Sequence, residues 1–312
     1  MSLNSGSNAN VVKTSVDEVL FGAYDAPSIP GFATAETPSL FKQSGLDRAA
    51  AIELEYAGPG KWNTHAEEED AEEANVLTGN STTHNVSNWK QDLSIPKEFY
   101  DDDLHEVVNK SVADMGRQAK NTKDENAMGI YVDGFATHTT PDAAYVWSDA
   151  HTTLSGVTID NLSSGAMTPA TLETLIRMLV EQKDQRGRLG GHNPAALLVP
   201  PILFPDAQEF TKSDLKPNTT DNNLNYVSLI YPGLQVFQSP WVGGTYSSYT
   251  NANTAHYLVS TNHSIRRRVR APLTTTLVDW VYDSKDRYKY RGRFREVCYA
   301  ATWEGSVAST GA

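Results

Sequence analysis

Between residues 51 and 135 the chain runs out into a long acidic, glycine-bearing excursion and then directly into one amphipathic helix, a pairing that few folds accommodate. Residues 52–58 (IELEYAG) alternate apolar and charged side chains with the period of a half-buried strand, and Gly58, Pro59 and Gly60 end it. Residues 61–85 (KWNTHAEEEDAEEANVLTGNSTTHN) crowd Glu67, Glu68, Glu69, Asp70, Glu72 and Glu73 together, with little apolar beyond Trp62, Val76 and Leu77. Such a run cannot bury enough surface to offset its ordering entropy. A second strand-like run, residues 86–96 (VSNWKQDLSIP), returns to the body. The expectation is a two-stranded arm with a mobile acidic tip that reaches another subunit. A disordered surface loop is the alternative, although long structureless loops are uncommon in compact domains.

The helix is predicted to start at Asp101, Asp102 and Asp103, which offer an N-cap and place negative charge at the positive end of the dipole. Leu104, Val108, Val112, Met115 and Ala119 then form one apolar stripe, with Lys110, Arg117, Lys120 and Lys123 on the outer face or toward the far end. The pattern holds from residue 103 to about 122, after which Ile130, Tyr131 and Val132 lead through Asp133 and Gly134 into a loop.

With 312 residues, 39% of them hydrophobic, the chain can bury a substantial core in one or two domains. No apolar run approaches the roughly 20 residues that span a bilayer, and the opening MSLNSGSNANVVKTSVDEV lacks a signal-like core, so no membrane partner is expected. A single cysteine, Cys298, excludes internal disulfides and suits a reducing cytoplasm; between Val297 and Tyr299 it reads as a structural strand residue.

The net charge of -12 hides a polarity along the chain. Arg266, Arg267, Arg268, Arg270, Lys285, Arg287, Lys289, Arg291, Arg293 and Arg295 face only Asp279, Asp283 and Asp286 in the same stretch. In a homo-oligomer, each subunit could offer its acidic arm to the basic face of a neighbour, which fixes register and partner choice. The candidate interface is therefore Lys61, Trp62 and the carboxylates from Glu67 to Glu73 on one side and these arginines and lysines on the other. The rival reading is nucleic-acid binding by arginines interleaved with Tyr288, Tyr290 and Phe294. Against it, RYKYRGRFR alternates as an exposed strand pair would, and a chain of pI about 5.1 matches a phosphate backbone poorly.

The remainder reads as mixed helix and strand, an α+β chain. Thr168 and Pro169 cap a helix with Leu172, Leu175, Ile176 and Leu179 buried, expected to end near Arg186 and Gly187. Residues 195–199 form a short apolar strand, 206–212 a brief helix, and 234–237 and 256–259 two further strands. Residues 274–280, 289–295 and 297–303 read as three late strands. There is no GxSxG elbow, GxxxxGK[ST] loop or HExxH helix. His256 and His263 are spaced for no common metal geometry, and His138, Asp142 and His151 have no nucleophile beside them in sequence. The acidic tip lacks the ligand pattern of a calcium loop. No catalytic residue, cofactor or metal site is expected.

In their order, these segments resemble the major capsid proteins of tailed bacteriophages, with the Hong Kong 97 (HK-97) type fold. The resemblance implies an N-terminal arm (1–45, without sustained period), an extended loop (46–96), a spine helix opening a peripheral domain (97–140), an inserted axial domain (141–262), a peripheral hairpin (263–295) and a last strand returning to the axial domain (296–312). LLVPP followed by a short helix, and the late arginine-rich hairpin, are the most familiar local texts. It implies a structural protein that assembles in the host cytoplasm into pentamers and hexamers of an icosahedral virion shell around double-stranded DNA. Further partners implied are a separate scaffolding protein, a portal and decoration proteins. Some relatives bond a loop lysine to an asparagine of a neighbour, and Lys61 is the only lysine in the loop proper, between its two strand-like runs. Encapsulin nanocompartments share the architecture, and a cytosolic enzyme of another type is the third reading.

Overall fold

A computed structural model describes residues 5–70, 73–102, 106–217, 223–244, 253–279, 282–283 and 285–311. In chain order its helices are α1 (Ser5–Tyr24), α2 (Lys97–Asp101), α3 (Val107–Val132), α4 (Pro169–Val180), α5 (Phe204–Lys212) and α6 (Tyr226–Ile230). The strands are β1 (Lys42–Gly45), β2 (Ala50–Ala57), β3 (Leu77–Asn85), β4 (Ser87–Pro96), β5 (His151–Thr152), β6 (Thr158–Ile159), β7 (Leu162–Ser163), β8 (Pro194–Val199), β9 (Gln235–Gln238), β10 (His256–Ser260), β11 (Ile265–Val278), β12 (Arg287–Ala300) and β13 (Ser306–Ser309).

Alternation of basic and aromatic residues makes β12 one strand of 14 residues where the sequence suggested two. Tyr288, Tyr290 and Phe294 point inward and the odd-numbered arginines outward. It pairs antiparallel with β11, which also has 14 residues and begins at Ile265, nine positions before the expected start at Thr274. Parallel β1 and antiparallel β4 complete a sheet in the order β1-β11-β12-β4. A second sheet has the order β7-β13-β10-β8-β9. Of the expected last strand, residues 296–300 complete β12, and only β13 joins this second sheet.

The second sheet is covered on both faces, so its strands are apolar on both sides. Ala196, Leu198, Tyr257, Val259 and Ala308 face the C-terminal part of α3 and Trp147. Leu197, Val199, Leu258 and Val307 face α4 and α5. Thr168 caps α4 as its sequence promised, accepting from the Thr171 amide, but the helix stops at Val180 because Lys183 and Leu189 pair in a tight excursion.

Three expectations fail for instructive reasons. The N-terminal arm contains α1, whose Val16 and Leu20 pack with Val112, Met115 and Tyr290 under the first sheet. The period of Val12, Val16, Val19 and Leu20 is helical but too short to stand out. Gly116 permits the close approach, since a Cβ there would lie 2.4 Å from the Leu20 carbonyl oxygen. The spine helix also runs ten residues past Thr122, to Val132. Its polar middle hides the continuation because those side chains are used inward: Asp124 accepts from the Ala35 amide at 2.7 Å, and Lys123 donates to the Tyr24 hydroxyl. Nor do the aspartates cap it: Asp101 closes α2, Asp103 lies outside the described residues, and Glu106 occupies the cap position in a left-handed conformation (φ 51°) without a side-chain cap bond.

Beneath this junction Arg267 and Glu296, 3% and 1% exposed, pair at 2.7 Å. Burial opposes the charge on Arg267, but the adjacent Glu296 carboxylate more than reverses this and raises the guanidinium's pKa. Removing one partner strands the other in the core, which costs about 3–5 kcal/mol. Accordingly Arg267→Met or Glu296→Gln should lower stability by that order in denaturant unfolding, and the double variant Arg267→Met/Glu296→Leu should recover part of the loss. Gly116→Val should instead detach α1, read as faster proteolysis near Tyr24 with the remaining fold intact.

Candidate assembly surfaces

The extended loop inverts the face its sequence suggested. Along β2, Glu53 and Glu55 turn inward while Ile52, Leu54 and Tyr56 are 63%, 53% and 57% exposed. Arg266 grips both Glu53 oxygens at 2.7 Å, and the Tyr299 hydroxyl donates to the same carboxylate at 2.5 Å. Two hydrogen-bonded partners offset the desolvation of the acid, so the apolar residues take the outer side. The returning strand is β3, within the stretch expected to be the tip. The run from Ser87 to Pro96 pairs with β12 instead, over its full length. His84 on β3 stacks on Tyr299 with ring centroids 4.1 Å apart, fixing the loop base to the hairpin.

At the neck, Arg186 donates through Nε to the Gly58 carbonyl at 2.5 Å and through Nη2 to the Asn75 carbonyl, while Arg188 reaches the Pro59 carbonyl at 3.2 Å. Asp184 shapes this clasp by accepting from the amides of both arginines at 2.9 Å. Neither arginine stood out in the sequence, although their setting around Gly187 (φ 75°) in a glycine-rich turn was a readable signal. Beyond the clasp, Lys61, Trp62, Glu67, Glu68, Glu69, Asp70 and Glu73 are exposed, Trp62 at 94%. Glu72 lies outside the described residues.

The basic hairpin is less free than its sequence suggested. Besides the Arg266 and Arg267 pairs, Arg268 contacts Tyr299, Ser44 and, at 3.6 Å, Glu53; Arg270 donates to the Asp47 carbonyl. Arg287 and Lys289 share Asp283 at 3.1 and 2.9 Å, and Arg291 makes a two-pronged pair with Asp92 at 2.6 Å. Six of the nominated residues (266, 267, 268, 287, 289 and 291) thus have carboxylates within their own chain. Arg293 is held by the Asn88 amide oxygen and Arg295 has a buried Nε without a partner. Arg270, Arg293 and Arg295, together with Lys90 on β4, are four cations for which no ion pair is found among the described residues.

Other titratable groups serve packing. His151 Nδ1 pairs with Asp142 at 2.8 Å, Nε2 faces the Val146 carbonyl and the ring stacks on Trp303, so both ring nitrogens are occupied without a nucleophile among these partners. Burial lowers the pKa of His256, and that of His263 to about 4. Among the described residues no cluster of three metal-ligating side chains occurs, and no helix is long and apolar enough to cross a membrane.

A sequence profile of the family described as phage capsid protein matches residues 82–309. This chain belongs to that family. No curated protein sequence matches it. Among solved structures, it is similar to the capsid of cyanophage P-SCSP1u (TM-score 0.58, 9% identity, covering 91% of this chain and 90% of the other). It is also similar to a structure from Mycobacterium phage Adephagia (TM-score 0.52, 16% identity, 91% of each chain). A third likeness is to the SrpI encapsulin of Synechococcus elongatus PCC 7942 (TM-score 0.53, 11% identity, 91% and 89%). The capsid protein therefore has the Hong Kong 97 type fold, works as a self-assembling shell component of the virion and is structural, not enzymatic.

The neck of this capsid protein carries a pH dependence. Burial, then the neighbouring Asp184 and Glu55, push the Glu304 carboxyl up to about 7. Between its ordinary range and pH 7 the folded chain holds a proton that the unfolded chain releases, so this contribution to stability falls as pH rises. Glu304→Gln should flatten that fall, gaining on the order of 2 kcal/mol over wild type between pH 5 and pH 8 in denaturant unfolding. Amide exchange at residues 55–58 should accelerate with pH only in wild type.

Proposed function

We propose that this capsid protein is the major head protein of a tailed double-stranded DNA phage, forming the pentamers and hexamers of an icosahedral shell. One observation carries the proposal: an arm that buries its carboxylates against its own body and turns Ile52, Leu54 and Tyr56 outward. A row of large apolar side chains on a projecting two-stranded arm gains nothing until a second surface covers it. A second copy is that surface. The arm lies across the neighbouring subunit, burying this row with Trp62, while the acidic tip meets the neighbour's Arg293 and Arg295.

On this reading the four-stranded sheet with α1 and α3 is the peripheral domain, and the five-stranded sheet with α4 to α6 is the axial domain. The division follows the expected segments 97–140, 141–262 and 263–295, except that the arm ends with β3 at Asn85 and β4, from the expected loop 46–96, belongs to the peripheral sheet. Assembly takes place in the host cytoplasm with a scaffolding protein and a portal, and decoration proteins attach outside. A net charge of -12 suits a wall past which DNA must slide without being trapped.

Electron microscopy of the purified wild-type protein should show closed shells or rings of five and six, with DNA inside particles recovered from infected cells. Ile52→Asp/Leu54→Asp should keep the far-UV spectrum and thermal transition of the subunit but abolish these assemblies. Reversing Glu67, Glu68, Glu69 and Asp70 to lysine should slow assembly at least tenfold, and adding Arg293→Glu/Arg295→Glu should restore part of the rate. Shells assembled normally by the apolar-row variant would overturn the proposed role of the arm, and particles filled with protein cargo would overturn the DNA reading.

A further inference from the structure

The outer edge of the four-stranded sheet is open. Strand β4 pairs with β12 from Ser87↔Glu296 to Pro96↔Arg287 without a register shift. No backbone partner is found for its other edge among the described residues. This ten-residue edge strand has no bulge and its one proline stands at its very end, so among the usual devices that blunt edges it carries only the charges of Lys90 and Asp92.

Its side chains are self-complementary. On the outer face Lys90 sits opposite Arg293, a like-charge pair, while Asp92 is two residues away. Toward the helices, Trp89 and Gln91 border a groove of 310 Å³ lined also by Leu20, Met115, Leu273 and Phe294. The Trp89 indole N–H is buried without an acceptor.

We infer that β4 is a two-fold contact, pairing antiparallel with β4 of a second copy about Gln91 to make one continuous eight-stranded sheet. This rests on the shell reading, because a closed shell has an inside and an outside. A two-fold axis between its subunits must then run perpendicular to the sheet and keep matching faces together. Among such registers, centring on Lys90 or Asp92 sets like charges against each other. Centring on Gln91 places Lys90 opposite Asp92 of the second copy, twice over, and Trp89 opposite its Leu93. The second copy's Gln91 becomes the diagonal neighbour of Trp89, within reach to accept the orphaned indole N–H. Main-chain hydrogen bonds supply the attraction and these side chains set the register.

The test uses Gln91→Cys, because only the central residue of such a contact meets itself. Cys298 is buried, so wild type supplies a monomeric background. After mild oxidation of assembled particles, most of the Gln91→Cys chain should run as a disulfide-linked dimer on non-reducing gels, and Ser87→Cys, far out of register, should not. Should the cysteine variant fail to assemble, hydrogen exchange on wild type decides: amides of residues 88–94 that face away from β12 should slow at least tenfold on assembly. Particles of normal form with no Gln91→Cys dimer, or no gain in protection, overturn the edge contact and leave the shell reading standing. A chain that stays monomeric at every concentration overturns both.

Discussion

A guanidinium and a carboxylate withdrawn from water hold this subunit together. Arg267 and Glu296 stand on neighbouring long strands, and the groups around them come from the N-terminal segment, with Lys123 and Asp124 of the long helix in electrostatic range. The Ala35 carbonyl and Gln43 lie within 3.5 Å of Arg267 Nη1, and Glu36 follows at 3.7 Å. Such a pair adds less net stability than its attraction suggests, because desolvation absorbs much of the gain. Its geometric demand is the larger effect. Neither charge tolerates being left alone in the core, so the N-terminal segment, the long helix and the hairpin can close on one another in only one arrangement.

The same logic governs the arm. A strand with apolar and acidic faces ordinarily buries the apolar one. Here two good partners, Arg266 and Tyr299, are available only to the acidic face, and the aliphatic side chains are displaced outward. Surface that would have served folding is kept for association. The clasp of Arg186 and Arg188 on three backbone carbonyls aims the displaced face and needs no apolar contact at the neck.

Much of the fold was legible because local pattern and tertiary role coincide there. Thr168 and Pro169 begin α4, the apolar run around Leu197 is a buried strand, and the alternation of RYKYRGRFR is a strand as expected, although half-buried and not exposed. Elements were missed where they did not coincide. The polar stretch from Asn121 to Asn126 is helical, yet it turns Lys123 and Asp124 inward to bind the N-terminal segment, and a hydrophobic period cannot register that. Alternation in IELEYAG announced a strand but not which face is covered, since that depends on Arg266, more than two hundred residues away. Charge counting located the basic hairpin, but not that Asp92 and Asp283 neutralise much of it within the chain.

The two long strands have a mechanical consequence. Strand β12 lies in the first sheet, and after a short turn the chain enters β13, second from the edge of the second; β10, at its middle, leads from the second sheet back into β11. Tension in a shell wall that tries to separate the two sheets therefore pulls along β11 and β12. A ladder pulled along its length shares the load across many hydrogen bonds at once, whereas one peeled from its end breaks them singly. A thin wall built from this subunit stretches as a fabric does, along its threads.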